Sequence, residues 1–261
     1  MERRQFLTAS LAASAIAVAG EGAAQAQPAR TREYYQLRRY NLKSGAQLRA
    51  TEKYFAEALI PALGRMGMGP IGAFRLDFGQ ETPAYYLLIP GTDLAAQAEL
   101  DLRLAKDEEF MKAADLFWNA TAAAPAFQRV ESWLQAAFEG WPKITPPASK
   151  GKRIFQLRTY ESPSNGEHVR KVEMFNSGEF EIFVKAGCNP VLFSDTLLGS
   201  RMPCLKYMLS FEDLAALDAG WNAFRTAPAW KKLSSDPRFS FDNIVTNISN
   251  EILSPLGCSQ I

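Results

Sequence analysis

Two sets of polar residues are the strongest candidates for chemistry in this sequence: Gln36, Arg38 and Tyr40, and again Gln156, Arg158 and Tyr160. Within each set the residues stand two apart, in a stretch whose alternation and aromatic content predict a β-strand. The three side chains therefore share one face of a sheet, with Leu37 or Leu157 on the other. A guanidinium flanked by an amide and a phenol suits a small anion or carboxylate, because arginine presents a planar fork of donors that matches it. If the leucines pack on helices, the Gln-Arg-Tyr faces point into the space between two sheets and line a cavity with two guanidiniums. The competing reading is that each arginine pairs with an acid on a neighbouring strand, Asp77 or Asp195, and does nothing further.

The remaining reactive residues offer less. His168 is the only histidine, which excludes multi-His metal sites, and at the start of a helix it reads as a solvated side chain rather than a haem ligand or general base. Cys188, Cys204 and Cys258 are odd in number and none has CxxC spacing, so neither a zinc site nor a redox motif is signalled; they read as small buried apolar groups. Asp107, Glu108 and Glu109 read as solvated surface, and Trp118, Trp133, Trp221 and Trp230 as core. A phosphate-binding glycine loop, a GxSxG elbow and an HExxH pair are all missing. No metal and no cofactor is predicted. With 29 basic and 28 acidic residues and no basic stripe, nothing draws the chain to nucleic acid.

The two candidate sets belong to an internal repeat. Tyr40 falls on Tyr160 at a shift of 120 residues, and the same shift carries Phe55 onto Phe175, Gly67 onto Gly187, Pro70 onto Pro190, Gly79 onto Gly199 and Pro83 onto Pro203. It also superimposes residues 93–96 on 213–216. A single ungapped register that keeps glycines and prolines at turn positions marks a duplicated module.

Both copies predict the same elements. A strand over 34–41 or 154–160 leads to a helix opened by Ser44-Gly45 or Asn165-Gly166, the second weakened by Gly178. Strands begin near Pro70 and Pro190 and run through Phe78 and Leu198. After a turn at Gly79 or Gly199, third strands cover 84–89 and 204–209. Asp93 and Asp213 then cap a helix. A second short helix lies around Phe110 or Trp230, and last strands cover 126–136 and 241–252. Each module is thus β-α-β-β-α-α-β, an α+β arrangement with helices on one face of an antiparallel sheet. The expected organisation is module one over 33–139, a Pro- and Lys-rich linker over 140–151, and module two over 152–253, followed by a loose tail after Pro255.

Ahead of the modules, Arg3-Arg4-Gln5-Phe6-Leu7 precedes an Ala-rich apolar run and the small-residue cleavage site Ala24-Gln25-Ala26. This predicts a signal peptide over 1–26 of twin-arginine type and an exported, periplasmic protein. The run falls short of the ~20 apolar residues of a membrane span.

The doubled motif Leu37-Arg38-Arg39-Tyr40 and Leu157-Arg158-Thr159-Tyr160, with Leu42-Lys43-Ser44-Gly45 after the first and the acidic-aromatic stretches 107–110 and 227–230, resembles the NIPSNAP family over essentially the whole mature chain. The resemblance implies ferredoxin-like modules of the dimeric α+β barrel superfamily, here closing one barrel within one chain as a pseudo-dimer. That superfamily includes cofactor-free monooxygenases, haem-degrading enzymes and modules without known activity. The expectation is an exported protein that binds a small ligand or a protein partner in or near the barrel, with a homo-oligomer allowed. The alternatives are a cofactor-independent monooxygenase or isomerase using the inter-sheet cavity, and an interaction module with a filled barrel.

Overall fold

A computed structural model describes residues 32–261 apart from 44 and 149, so the leader expected over 1–26 and Ser44 lie outside the described residues. The first module runs β1 (Tyr34–Asn41), α1 (Ala46–Tyr54), a π-helical turn (Phe55–Leu59), α2 (Ile60–Arg65), β2 (Gly72–Phe78), β3 (Ala84–Gly91), α3 (Leu94–Ala98), α4 (Leu100–Leu104), α5 (Glu108–Trp118) and β4 (Arg129–Ala137). The second runs β5 (Ile154–Glu161), α6 (Asn165–Met174), a π-helical turn (Phe175–Glu179), α7 (Phe180–Lys185), β6 (Asn189–Leu198), β7 (Cys204–Phe211), α8 (Leu214–Thr226), α9 (Pro228–Ser234), a 3-10 turn (Pro237–Phe239), α10 (Phe241–Ile244) and β8 (Asn247–Pro255).

The eight strands close one antiparallel barrel in the order β1-β3-β2-β8-β5-β7-β6-β4. Each module contributes four adjacent strands. The seams between them are β2 against β8, where Leu76 faces Leu253, and β4 against β6, where Ala136 faces Asp195. The pseudo-dimer expected from the repeat is therefore the fold of one chain. Even local irregularity is repeated: the π-helical turns at Phe55 and Phe175 sit at the same 120-residue shift. In the second, Ser177 and Gly178 leave helical geometry, with Gly178 at φ 115°, which a residue with a Cβ rarely adopts.

Caps fix the helix starts. Asp93 accepts from the amides of Ala95 and Ala96, and Asp213 from Ala216, as expected. Asp107, read from sequence as solvated surface, instead caps α5 through the Phe110 amide and pairs with Arg65 at 2.7 Å. Two other expectations are corrected. Residues 241–244 form α10 rather than strand, so the last strand starts only at Asn247. The tail is docked, not loose: the Ile71 amide donates to Gln260 Oε1 at 2.7 Å, the Gln260 amide to the Ile71 carbonyl at 2.8 Å, and Ile261 is buried.

Three apolar cores result. One fills the barrel, with Leu37, Phe74, Leu88, Phe155, Leu157, Met208 and Leu253 among its members. The other two lie outside the barrel, between each half-sheet and its helices, and contain Tyr40, Phe55 and Phe110 in module one and Tyr160, Phe175 and Tyr207 in module two. Cys188 and Cys204 are free and buried, and burial pushes the Cys188 thiol up to about 11. Among the described residues no helix is long and apolar enough to cross a membrane.

Candidate functional site

Leu37 and Leu157 point into the barrel, so the Gln-Arg-Tyr faces of β1 and β5 turn outward beneath the helices. The inter-sheet cavity with two guanidiniums expected from sequence is thus not formed. The candidates divide instead into two sets, one under the helices of each module, and the two sets have different surroundings.

In module one the arginine is fully engaged. Arg38 Nε donates to Gln36 Oε1 at 2.6 Å and its Nη2 lies 2.8 Å from Asp101 Oδ1. Asp77, the partner expected from sequence, is bound to Arg75 at 2.8 Å. Burial opposes the charge on Arg38, yet Tyr40 and Asp101 outweigh it and hold the guanidinium pKa above its usual range. Tyr40 is surrounded by rings, with Phe55 at 5.1 Å and Phe117 and Phe127 each at 6.3 Å. Module one presents a finished core.

Module two leaves the same arginine open. Gln156, Arg158 and Tyr160 line one cavity of about 390 Å³ together with Lys171, Glu179, Trp221, Trp230 and Asn250. Gln156 does not reach Arg158. Its Oε1 accepts from Trp221 Nε1 at 2.7 Å and its Nε2 donates to Asn250 Oδ1 at 2.8 Å. Arg158 Nε is consequently buried with no hydrogen-bond partner. No carboxylate stands within ion-pair distance of it among the described residues; Asp195, expected as its partner, contacts His168 instead. Its guanidinium is held by rings, 4.4 Å from Trp221, 5.1 Å from Tyr160 and 5.8 Å from Tyr207. Burial disfavours its charge, but Tyr207, Tyr160 and Glu179 outweigh it, so that it remains a cation.

Beneath this arginine lies a buried ion pair, Lys171 Nζ to Glu179 Oε2 at 2.9 Å. Burial pushes the lysine pKa down and the carboxyl pKa up, each partly offset by the other. Lys171 Nζ also sits 4.3 Å from the Phe175 ring. Tyr160 and Tyr207 share a hydrogen bond at 2.9 Å, and burial raises both hydroxyl pKa values, keeping them protonated. Among the lining residues Lys171 is offset by Glu179 and Arg225 by Asp218, so Arg158 gives the cavity a formal charge of +1. Two larger surface clefts, of about 530 and 730 Å³, contain no buried charged side chain.

Sequence reasoning missed Lys171, Glu179 and Tyr207, and it placed Trp221 and Trp230 in a closed core although they line this cavity. The signal was in the repeat: at the 120-residue shift Lys171 replaces Thr51, Glu179 replaces Leu59 and Trp221 replaces Asp101. His168 is likewise not solvated. It is buried, with Nε2 2.7 Å from Asp195 Oδ1, and ties α6 to β6.

The NIPSNAP family model matches residues 35–124 and 155–260, one match per module. The chain belongs to the NIPSNAP family. Its fold is also that of several solved structures. A provisionally named monooxygenase of Fusobacterium nucleatum is 10% identical over 87% of this chain and 94% of its own, with a TM-score of 0.55. A second, from Lactobacillus acidophilus, is 12% identical over 86% and 94%, with a TM-score of 0.54. An anthrone oxidase-like protein is 10% identical over 87% and 93%, with a TM-score of 0.52. At such identities the likeness concerns the fold. No curated protein matches this NIPSNAP chain.

Proposed function

We propose that this NIPSNAP protein is exported and binds a small organic carboxylate in the cavity of its second module, with Arg158 as the group that grips the anion. The observation that carries this reading is the unpartnered, buried Nε of Arg158, set against the fully bonded Nε of Arg38. A buried guanidinium N–H without a hydrogen-bond partner costs more than the ~1–3 kcal/mol of a neutral group, and a bound carboxylate recovers that loss through a charge-assisted bond. The aromatic walls at Trp221, Trp230 and Phe241 match a ligand with a flat or apolar body, and the cavity volume lies in the range of small-molecule sites. Gln156 and Asn250, already bonded to each other, provide amide groups at the same wall. The Arg3-Arg4 leader supports export in the folded state, with any ligand already seated.

Calorimetric titration with benzoate, and with benzamide as its uncharged counterpart, tests the reading. Benzoate binds the parent and the Arg38→Ala variant, benzamide binds neither comparably, and Arg158→Ala loses benzoate by more than about tenfold, the weight of one charge-assisted bond. Equal binding by the parent and Arg158→Ala removes the proposal. Mass spectrometry of whatever co-purifies with the native chain then identifies the natural carboxylate.

A further inference from the structure

A second group of buried polar residues lies inside the barrel, around a cavity that shares only Ile248 and Asn250 with that of module two. At one end of the barrel Arg39 of β1, Thr159 of β5, Lys206 of β7 and Glu251 of β8 line a cavity of about 390 Å³, with Trp133 and Tyr86 in its wall. Lys206 is 6% exposed. Its Nζ donates to Thr159 Oγ1 at 2.7 Å and lies 4.5 Å from the Trp133 ring. No carboxylate stands within ion-pair distance of this amine among the described residues. The acids nearby are committed elsewhere: Glu251 accepts from the Tyr86 hydroxyl at 2.8 Å, Glu131 accepts from Asn41 at 2.9 Å and lies 3.8 Å from Arg39, and Glu161 lies 3.7 Å from Arg201. Module one has Tyr86 at the equivalent position, so the amine is a feature of the second copy alone.

A buried amine that donates to a neutral hydroxyl and has no carboxylate within ion-pair distance is poised to be uncharged. The Trp133 face favours the ammonium, and Cys204, Glu251 and Glu161 act in the same sense, while Arg201 acts against it. Burial exceeds them, and the Lys206 pKa lies below the usual lysine value. We infer that Lys206 is a nucleophilic amine and that the barrel mouth captures a small aldehyde or α-keto acid as a Schiff base. The nitrogen lone pair attacks the carbonyl carbon and forms the C–N bond. The carbonyl oxygen departs as water with the two protons of the amine, leaving a C=N double bond with no change of oxidation state. Arg39, whose buried Nε has no hydrogen-bond partner, lines the same cavity and suits a carboxylate on the captured molecule.

The test uses the folded chain, glyoxylate and cyanoborohydride at neutral pH, followed by peptide mapping. The expected result is a reduced adduct on Lys206 at least about tenfold above that on exposed Lys53 and Lys231, the gain in neutral amine for each pKa unit. The preference disappears in urea, and the adduct is absent from Lys206→Arg. A yield at Lys206 no higher than at the surface lysines overturns the inference, as does a preference that survives unfolding.

Discussion

The Trp221 ring lies 4.4 Å from the Arg158 guanidinium, at the repeat position where module one places Asp101 in an ion pair with Arg38. One substitution between the copies thus separates a neutralised arginine from one that still carries its charge into a cavity. The second copy retains the scaffold and changes the chemistry.

Converting Trp221 to the residue of the first copy should close the site. In Trp221→Asp the new carboxylate pairs with Arg158, so benzoate affinity falls by at least about tenfold, whereas Trp221→Phe, which keeps a ring over the guanidinium, retains binding. Lost packing against Phe183 and Phe224, at 5.7 and 5.4 Å, costs roughly 1–3 kcal/mol, and the variant stays folded. Calorimetric titration and a thermal melt report the two effects separately.

The buried Lys171–Glu179 pair should be indispensable only as a pair. Glu179→Leu leaves an uncompensated ammonium in the core and destabilises by about 3–5 kcal/mol. Adding Lys171→Thr to it recreates the Thr51 and Leu59 combination of module one and recovers most of that loss. Urea unfolding midpoints of the two variants check this; a double variant no more stable than the single one would contradict it.

The repeat made the architecture legible. A constant shift places strands, caps and turns together, and each copy supports the other. The facing of β1 and β5 was not legible, for a physical reason. Alternation separates Leu37 from Arg38 and Tyr40, but here both strand faces are buried, one in the barrel and one under helices, so hydrophobicity does not say which is which. Fully buried β3 and β7 show the same ambiguity. The burial of His168 escaped because its partner, Asp195, lies 27 residues away on another strand. Lys171 and Glu179 were readable in principle: with Phe175 they recur every four residues along the buried stripe of a helix, where the first copy has no charges.

Lys206 should impose a pH dependence on stability. Its folded pKa lies below the 10.5 of an ordinary lysine, so between the two values the unfolded chain binds more protons and stability rises with pH. The penalty is fully present below the folded pKa and vanishes above about 10.5. Lys206→Met removes it. The variant is therefore more stable than the parent at neutral pH, and the difference shrinks as pH climbs toward 10. Guanidinium unfolding across that range measures the slope. A constant difference would show that the amine titrates normally.

The docked tail should contribute as a core element rather than an appendage. Gln260 and Ser259 accept from the amides of Ile71 and Ala73, at 2.7 and 3.1 Å, so the tail supplies partners to backbone at the start of β2. Ile261, 2% exposed, fills the barrel core beside Gly72, where an added Cβ would meet its Cδ1 at 3.1 Å. Ile261→Ala removes buried methyl groups that close neighbours can only partly replace, at a cost of about 2–4 kcal/mol. Gln260→Ala leaves the Ile71 amide without its acceptor, at about 1–3 kcal/mol. The two changes are adjacent in sequence but remove different interactions, a packed side chain and a hydrogen bond. Their sum should therefore exceed either alone, unless loss of one already releases the whole tail. Denaturant unfolding of the two variants and of their combination decides between these cases: near-additive losses mean that packing and hydrogen bonding hold the tail independently, and a combined loss equal to the larger single one means that it docks as a single unit.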